Sequence, residues 1–279
     1  PPDPAQTARR SQIDFPAAGC LVQADTPLFQ TQRMHTHPNH SDRGLVSTAN
    51  PMASQAGIDV LSRGGSAADA VVAMQAVLSL VEPHASGLGG GSVIVWHNAA
   101  DGRHGVIDGL ACAPQRVTQR IEVDHAGQSI PRERALFGGW TVGVPGTVKA
   151  IASLHQRFGR QSWAGLFDAA RTLASEGFDL PPYLVKTLRE IGSMQDEPLA
   201  HAVYGQGTRQ VQPAGTRVRN PAFAHTLQLL AEQGADAFYE DSPISAAIIN
   251  AVRNDHMPGC LDLEDLRRYK AVDRETLGY

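Results

Sequence analysis

Apolar positions along the chain change their period several times, and each change marks an element. Met52, Ala56 and Val60 recur at helical spacing. Asn50 stands before them as an N-cap, with Pro51 at the first helical position, and Gly64-Gly65 predicts the stop. A second helix follows at once. Ser66 and Asp69 have the spacing of a capping box, and Ala67, Ala70, Val71, Met74, Val77, Leu78 and Val81 fill one wide apolar face. Its many alanines predict a buried, closely packed helix. The helical period then gives way to a short apolar run: Val93 to Trp96 reads as a buried strand, Asp101-Gly102 as a turn, and Gly105-Val106-Ile107 as its partner strand.

Further helices are expected at about 147–157, 163–176, 221–233, 243–254 and 263–269. Their stops or caps are Gly159, Gly177, Asn220-Pro221, Ser242-Pro243, and Asp262 with Asp265. Helices outnumber strands, and the strands form a hairpin instead of alternating with helices. This predicts an α+β layered domain over residues 44–279. Residues 1–43, rich in Pro, Gln, Thr and His without sustained periodicity, read as an extended N-terminal arm.

Composition narrows the function classes. The chain has 279 residues, 42% of them apolar, and its 24 basic and 28 acidic residues leave a formal charge of −4. That balance offers no strong field for nucleic acid or an anionic membrane surface. The longest apolar stretch, Ala67 to Val81, is interrupted by Asp69 and Gln75 and is too short to cross a bilayer. Cys20, Cys112 and Cys260 are widely spaced and odd in number, which predicts buried or idle thiols and no C-x-x-C site. Pro1 in place of methionine points to processing or trimming and leaves export undecided.

Several motifs invite chemistry. Gly87-Leu88-Gly89 begins a dinucleotide fingerprint, but Ser92 holds the third glycine position. The order here is also helix, glycines, strand, whereas pyrophosphate binding needs strand, glycines, helix. His35, His37 and His40 have a metal-like H-x-H-x-x-H spacing resembling that of metallo-β-lactamase-type hydrolases. Asn39 replaces that motif's Asp and no strand precedes it, so a polar arm is the preferred reading and no metal or cofactor is expected. Glu82, His84 and Ser86 place an acid, an imidazole and a hydroxyl together. Neighbours in an extended loop seldom face each other, so these are read as loop hydrogen bonding.

The segment from Gly44 to Trp96 closely resembles the start of the large chain of the γ-glutamyltranspeptidase family. It contains a helix beginning near a proline, a Gly-Gly-x-Ala-x-Asp-Ala helix start and a Pro-His-x-x-Gly-Leu-Gly-Gly-Gly loop. The similarity continues in order through VIDGLACAP, VGVPGTVKA, GFDLPPYLV, QGADAFYED and LEDLRRYKAV, covering about Gly44 to Tyr279. It implies an N-terminal nucleophile hydrolase. In that family a precursor cuts itself into two chains packed as an αββα four-layer sandwich, and the small chain's new N-terminal threonine attacks an amide carbonyl. A hydroxyl beside its own α-amine carries its general base with it. Pro1 has no such hydroxyl, and this sequence ends before the family's cleavage threonine would come. The resemblance therefore places no catalytic residue in this chain, and puts the nucleophile (Thr, or Ser or Cys) on a partner chain. It also implies a periplasmic or secreted location, with a cytoplasmic one left open.

One departure bears on substrate. The family motif D-x-R-E-x-A-P carries an arginine that grips the α-carboxylate of the γ-glutamyl group. Here Asp108, Ala113 and Pro114 remain, while Leu110 and Ala111 occupy the Arg and Glu positions. Leucine supplies none of a guanidinium's two-point pairing. Losing one side of such a buried pair typically costs about 2–5 kcal/mol. Three readings stay open: a small-molecule acyl- or amide-cleaving enzyme of altered specificity, a true γ-glutamyl enzyme whose clamp has moved to Arg103, Arg116 or Arg120, and a non-catalytic relative. Gly89, Gly90, Gly109, Leu110 and Ala111 are the expected substrate-pocket residues. For the glycine loop, packing and a cleft role remain alternatives.

Overall fold

The computed structural model describes residues 44–117, 128, 138–191, 198–255 and 257–276. The predicted arm at 1–43, with Cys20 and the three histidines, lies outside the described residues, as does Arg120. Helix α1 (Pro51–Ser62) begins where Asn50 caps the Met52 amide. Helix α2 (Ala67–Val81) begins at a reciprocal box between Ser66 and Asp69, and ten of its fifteen residues are buried. Its small side chains let α1 and α3 (Thr147–Phe158) pack directly against it.

The predicted hairpin is present, with longer arms. Strands β1 (Ser92–Asn98) and β2 (Arg103–Gly109) pair antiparallel from Ser92↔Gly109 to Asn98↔Arg103. Alternation decides their faces. Ile94, Trp96 and Ile107 turn inward onto Ala68, Ala150 and Leu154 of α2 and α3. Val93 and Val95 point the other way and are 53% and 72% exposed. Strand β5 (Val272–Arg274) joins the far side of β2, giving the order β1-β2-β5, and Val272 is exposed beside Asp108. The sheet thus has one face under helices, and a second face on which Val93, Val95 and Val272 are exposed among the described residues beside the Asp108–Arg274 pair.

The other helices are α4 (Asp168–Glu176), α5 (Pro182–Ile191), α6 (Pro198–Tyr204), α7 (Pro221–Gln233), α8 (Pro243–Arg253) and α9 (Leu263–Arg268). A two-residue pair, β3 (Phe178–Asp179) with β4 (Arg217–Val218), closes the edge of this bundle. Capping boxes at Ser242–Ser245 and Asp262–Asp265 start α8 and α9. The helix expected at 163–176 is a 3-10 turn at Ala164–Phe167 followed by α4. Its first turn tightens where Trp163 Nε1 donates to the Leu230 carbonyl. Among the described residues, no helix is long and apolar enough to cross a membrane.

Candidate functional site

The predicted pocket residues converge at one end of the hairpin. The Gly90 carbonyl accepts the Gly146 and Thr147 amides at 2.9 and 3.1 Å. Gly146 precedes α3 without a side-chain cap, so the glycine loop supplies an acceptor that the helix start lacks. Gly91 runs against the next segment: a Cβ there would lie 2.7 Å from the Ala111 nitrogen and 2.9 Å from the Leu110 Cα. Gly109 is equally confined, with room for a Cβ denied by Ala150 and the Gly146 carbonyl. Gly87 and Gly89, by contrast, face open space among the described residues, none of which a Cβ at either would meet within 4 Å. Packing therefore accounts for Gly91 and Gly109, and leaves Gly89 without a steric reason among the described residues.

Leu110 stands just past the end of β2, and its backbone is held from both sides by side chains. Its amide donates to Asp108 Oδ1 at 3.0 Å, and its carbonyl accepts from the Tyr269 hydroxyl at 2.8 Å. The Leu110 side chain is 55% exposed. Asp108 uses its second oxygen to accept from Arg274 Nε at 2.6 Å. The Leu110 amide, then the Arg274 guanidinium, hold the Asp108 carboxyl below the usual carboxylate range. Ala111 is exposed, and Cys112 forms an antiparallel bridge with Val144. Desolvation, with the Asp265 carboxylate adding to it, pushes the Cys112 thiol up, away from the thiolate a nucleophile needs.

The three arginines weighed as substitutes for the missing clamp have different fates. Arg103 pairs with Asp101 at 2.7 Å at the opposite end of β2, about 20 Å of strand away from Gly109. Arg116 is exposed after Pro114, and Arg120 lies outside the described residues. The guanidinium tied to this segment belongs to Arg274, whose role the sequence reading missed. Tyr269, Val144 and Gly146 were missed too. Tyr269, Val144 and Gly146 fall in blocks that carry the family resemblance and Arg274 lies just past the last of them, but none of the four has a local pattern marking it as a partner of residue 110.

Glu82 and His84 do face each other, contrary to the expectation for an extended loop. The Ala85 and Ser86 amides both return to the Glu82 carbonyl at 3.0 Å, and this tight turn brings His84 Nε2 within 3.3 Å of Glu82 Oε2. Glu82 also accepts from Asn50 Nδ2 at 3.0 Å, and Ser86 accepts from Gln75 Nε2 at 2.7 Å. Both members of the Glu82–His84 pair are buried, so the group ties α1, α2 and the glycine loop together. Among the described residues, no group of three or more His, Cys, Asp or Glu side chains is placed to hold a metal ion. Cys112 and Cys260 are free thiols.

Comparison with known proteins agrees with this architecture. Residues 53–278 match the gamma-glutamyltranspeptidase family. The glutathione hydrolase proenzyme of Bacillus subtilis (strain 168) is 32% identical over 234 residues, covering 84% of this chain and 39% of that protein. The acylase ACY 1 proenzyme of Pseudomonas sp. (strain SE83) is 34% identical over 250 residues, covering 86% of this chain and 43% of that protein. The chain thus spans about two fifths of the length of these relatives. The crystal structure of Helicobacter pylori gamma-glutamyltranspeptidase superimposes with a TM-score of 0.79 at 27% identity, over 85% of this chain and 67% of that one. Its α+β fold is therefore that of the N-terminal nucleophile hydrolases, and the chain belongs to the γ-glutamyltranspeptidase family.

Proposed function

We propose that this chain is the large-chain part of a self-cleaving hydrolase or acyltransferase that acts on an amide or related acyl bond, with an acyl group that differs from γ-glutamyl. Residues 44–279 form the large-chain domain, and residues 1–43 are an arm preceding it. A small chain from the same precursor contributes the N-terminal Thr, Ser or Cys nucleophile. It stacks its sheet on the uncovered face bearing Val93, Val95 and Val272. Two relatives whose names include the word proenzyme support the two-chain reading.

The observation that carries the altered specificity is Leu110. An exposed isobutyl group stands at the position where the family motif has its carboxylate-binding arginine. It offers an acyl chain apolar contact and offers an α-carboxylate no ion pair. Gly89 and Gly90 border the same pocket from the glycine loop, and Gly109 and Ala111 flank Leu110 in it.

The test is expression of the complete precursor, followed by a denaturing gel, intact-mass analysis and turnover of acyl p-nitroanilides. Two chains, the smaller beginning with Thr, Ser or Cys, and faster turnover of alkanoyl than of γ-glutamyl anilide are the expected results. A precursor that never splits contradicts the reading and favours a non-catalytic relative. A second reading has its own observation: Arg274 shares the Asp108 carboxylate with the Leu110 amide, so a cation stands close to the pocket wall. Turnover of γ-glutamyl-p-nitroanilide at a rate that exceeds the alkanoyl anilides, and that is lost in Arg274→Gln, would select this moved clamp.

A further inference from the structure

The β2 ladder ends at Gly109, and the next backbone pairing is the Cys112–Val144 bridge. Leu110 falls in the gap. Its two backbone polar groups have left the sheet, and among the described residues side chains hold them: Asp108 for the amide and Tyr269 for the carbonyl. We propose that Tyr269 is a positioning residue for acyl recognition, fixing the Leu110 carbonyl and thereby the place where the residue-110 side chain meets substrate. This rests on the reading of Leu110 as a pocket wall given above.

The phenol is well constrained for such a task. Tyr269 follows α9 and is 6% exposed. Its ring stacks on that of Tyr239, with centroids 5.8 Å apart and planes at 14°. Tyr239 is itself fixed, because its hydroxyl donates to the Pro145 carbonyl at 3.0 Å and accepts the Lys149 amide at 3.0 Å. Room for the Tyr269 hydroxyl exists because residue 146 is glycine: a Cβ there would overlap the phenol oxygen. Desolvation first, then the neighbouring Cys112 and Asp108 side chains, raises the Tyr269 pKa, so the hydroxyl remains a donor to the Leu110 carbonyl. The turn before α3, the segment entering β5 and the pocket wall thus meet through two stacked tyrosines.

Tyr269→Phe removes the hydrogen bond and keeps the stack. In the complete, self-processed protein we expect two chains as in the wild type. We also expect the ratio of kcat/KM between hexanoyl- and acetyl-p-nitroanilide to shift at least fivefold, chiefly through KM. The decisive comparison is Leu110→Ala with Leu110→Ala/Tyr269→Phe. If Tyr269 acts through residue 110, removing its hydroxyl changes that ratio less than twofold once the isobutyl group is gone. An equal loss for both anilides, an unchanged ratio, or a shift that persists in the Leu110→Ala background overturns the proposal. Should Tyr269→Phe fail to accumulate, Asp108→Asn, which weakens the other hold on Leu110, is read by the same ratio and the same criteria. A wild type that turns over no acyl substrate overturns the functional reading and this proposal together. An active wild type with an unmoved ratio overturns the proposal alone.

Discussion

Asp69 Oδ2 accepts the Arg160 backbone amide at 2.9 Å, joining the start of α2 to the loop that follows α3. The same buried carboxylate accepts the Ser66 amide and hydroxyl and the Gln161 amide, and His155 Nε2 lies 3.3 Å away. Burial alone would raise its pKa, but the hydrogen bonds from Ser66, Arg160 and Gln161 outweigh burial, and the pKa falls below 3.8. The sign follows from linkage. A carboxyl depressed in the folded state adds stability above its unfolded pKa and loses that stability as pH falls through the folded value. Asp69→Asn turns an acceptor into a donor facing amides and should cost about 2–4 kcal/mol at pH 7. Urea unfolding of the processed protein at pH 7, 5 and 3 should show the gap from wild type narrowing only below about pH 4.

The glycine loop supplies a paired test. A Cβ on Gly91 would press on the Leu110–Ala111 backbone, which cannot yield without breaking the Leu110 hydrogen bonds. Gly91→Ala should therefore destabilise by about 1–3 kcal/mol. Gly89 has open space and does not have positive φ, so Gly89→Val should unfold within about 0.5 kcal/mol of wild type. If the loop borders the cleft, that stable variant still loses acyl turnover at least tenfold. A fully active Gly89→Val would assign the loop to packing alone.

The buried Glu82–His84–Asn50 group offers a third test. Glu82→Gln keeps shape and a hydrogen-bond acceptor for Asn50, but removes the charge beside His84. His84 Nδ1 has no hydrogen-bond partner among the described residues. Glu82→Ala leaves Asn50 Nδ2 unsatisfied as well and should cost about 1–3 kcal/mol. Thermal unfolding should therefore rank wild type above Glu82→Gln, and Glu82→Gln above Glu82→Ala. Equal melting temperatures would show that the group does not tie the loop to the helices.

Elements with a local cause were readable in the sequence. Asn50, Ser66, Asn220, Ser242 and Asp262 cap the helices they were expected to cap, because capping is decided within three residues. The hairpin was equally plain from the apolar runs on either side of Asp101-Gly102, although Val93 to Trp96, read as a buried strand, is covered on one face only and leaves Val93 and Val95 exposed. Strand β5 was not. Its three exposed residues have no pattern of their own and become a strand only by pairing with β2, some 165 positions back in the chain. Helix α5 escaped for a different reason. Pro181-Pro182 reads as a breaker, yet Pro182 sits at the first helical position, where its missing N–H costs nothing. At the site, the motif gave Asp108 and Leu110 by position. Tyr269 and Arg274, which hold them, are distant in sequence, and only the packed fold brings them together.

The hydrogen bonds around Leu110 use its backbone, so they should survive a change of side chain. Leu110→Arg therefore keeps the Asp108 and Tyr269 contacts while placing a guanidinium where the isobutyl group is exposed. The new charge lies near Arg274, but Asp108 already pairs with that cation and limits the repulsion. A surface-facing change of this kind should alter stability by less than about 1 kcal/mol. If the acyl pocket lies here, γ-glutamyl-p-nitroanilide should gain at least about thirtyfold in kcat/KM, the lower end of the range expected from about 2–5 kcal/mol of restored pairing. Hexanoyl-p-nitroanilide should lose in parallel, since a charged side chain replaces its apolar contact. Steady-state kinetics on the two anilides check both directions. Equal rates in wild type and Leu110→Arg would mean that residue 110 does not touch the acyl group.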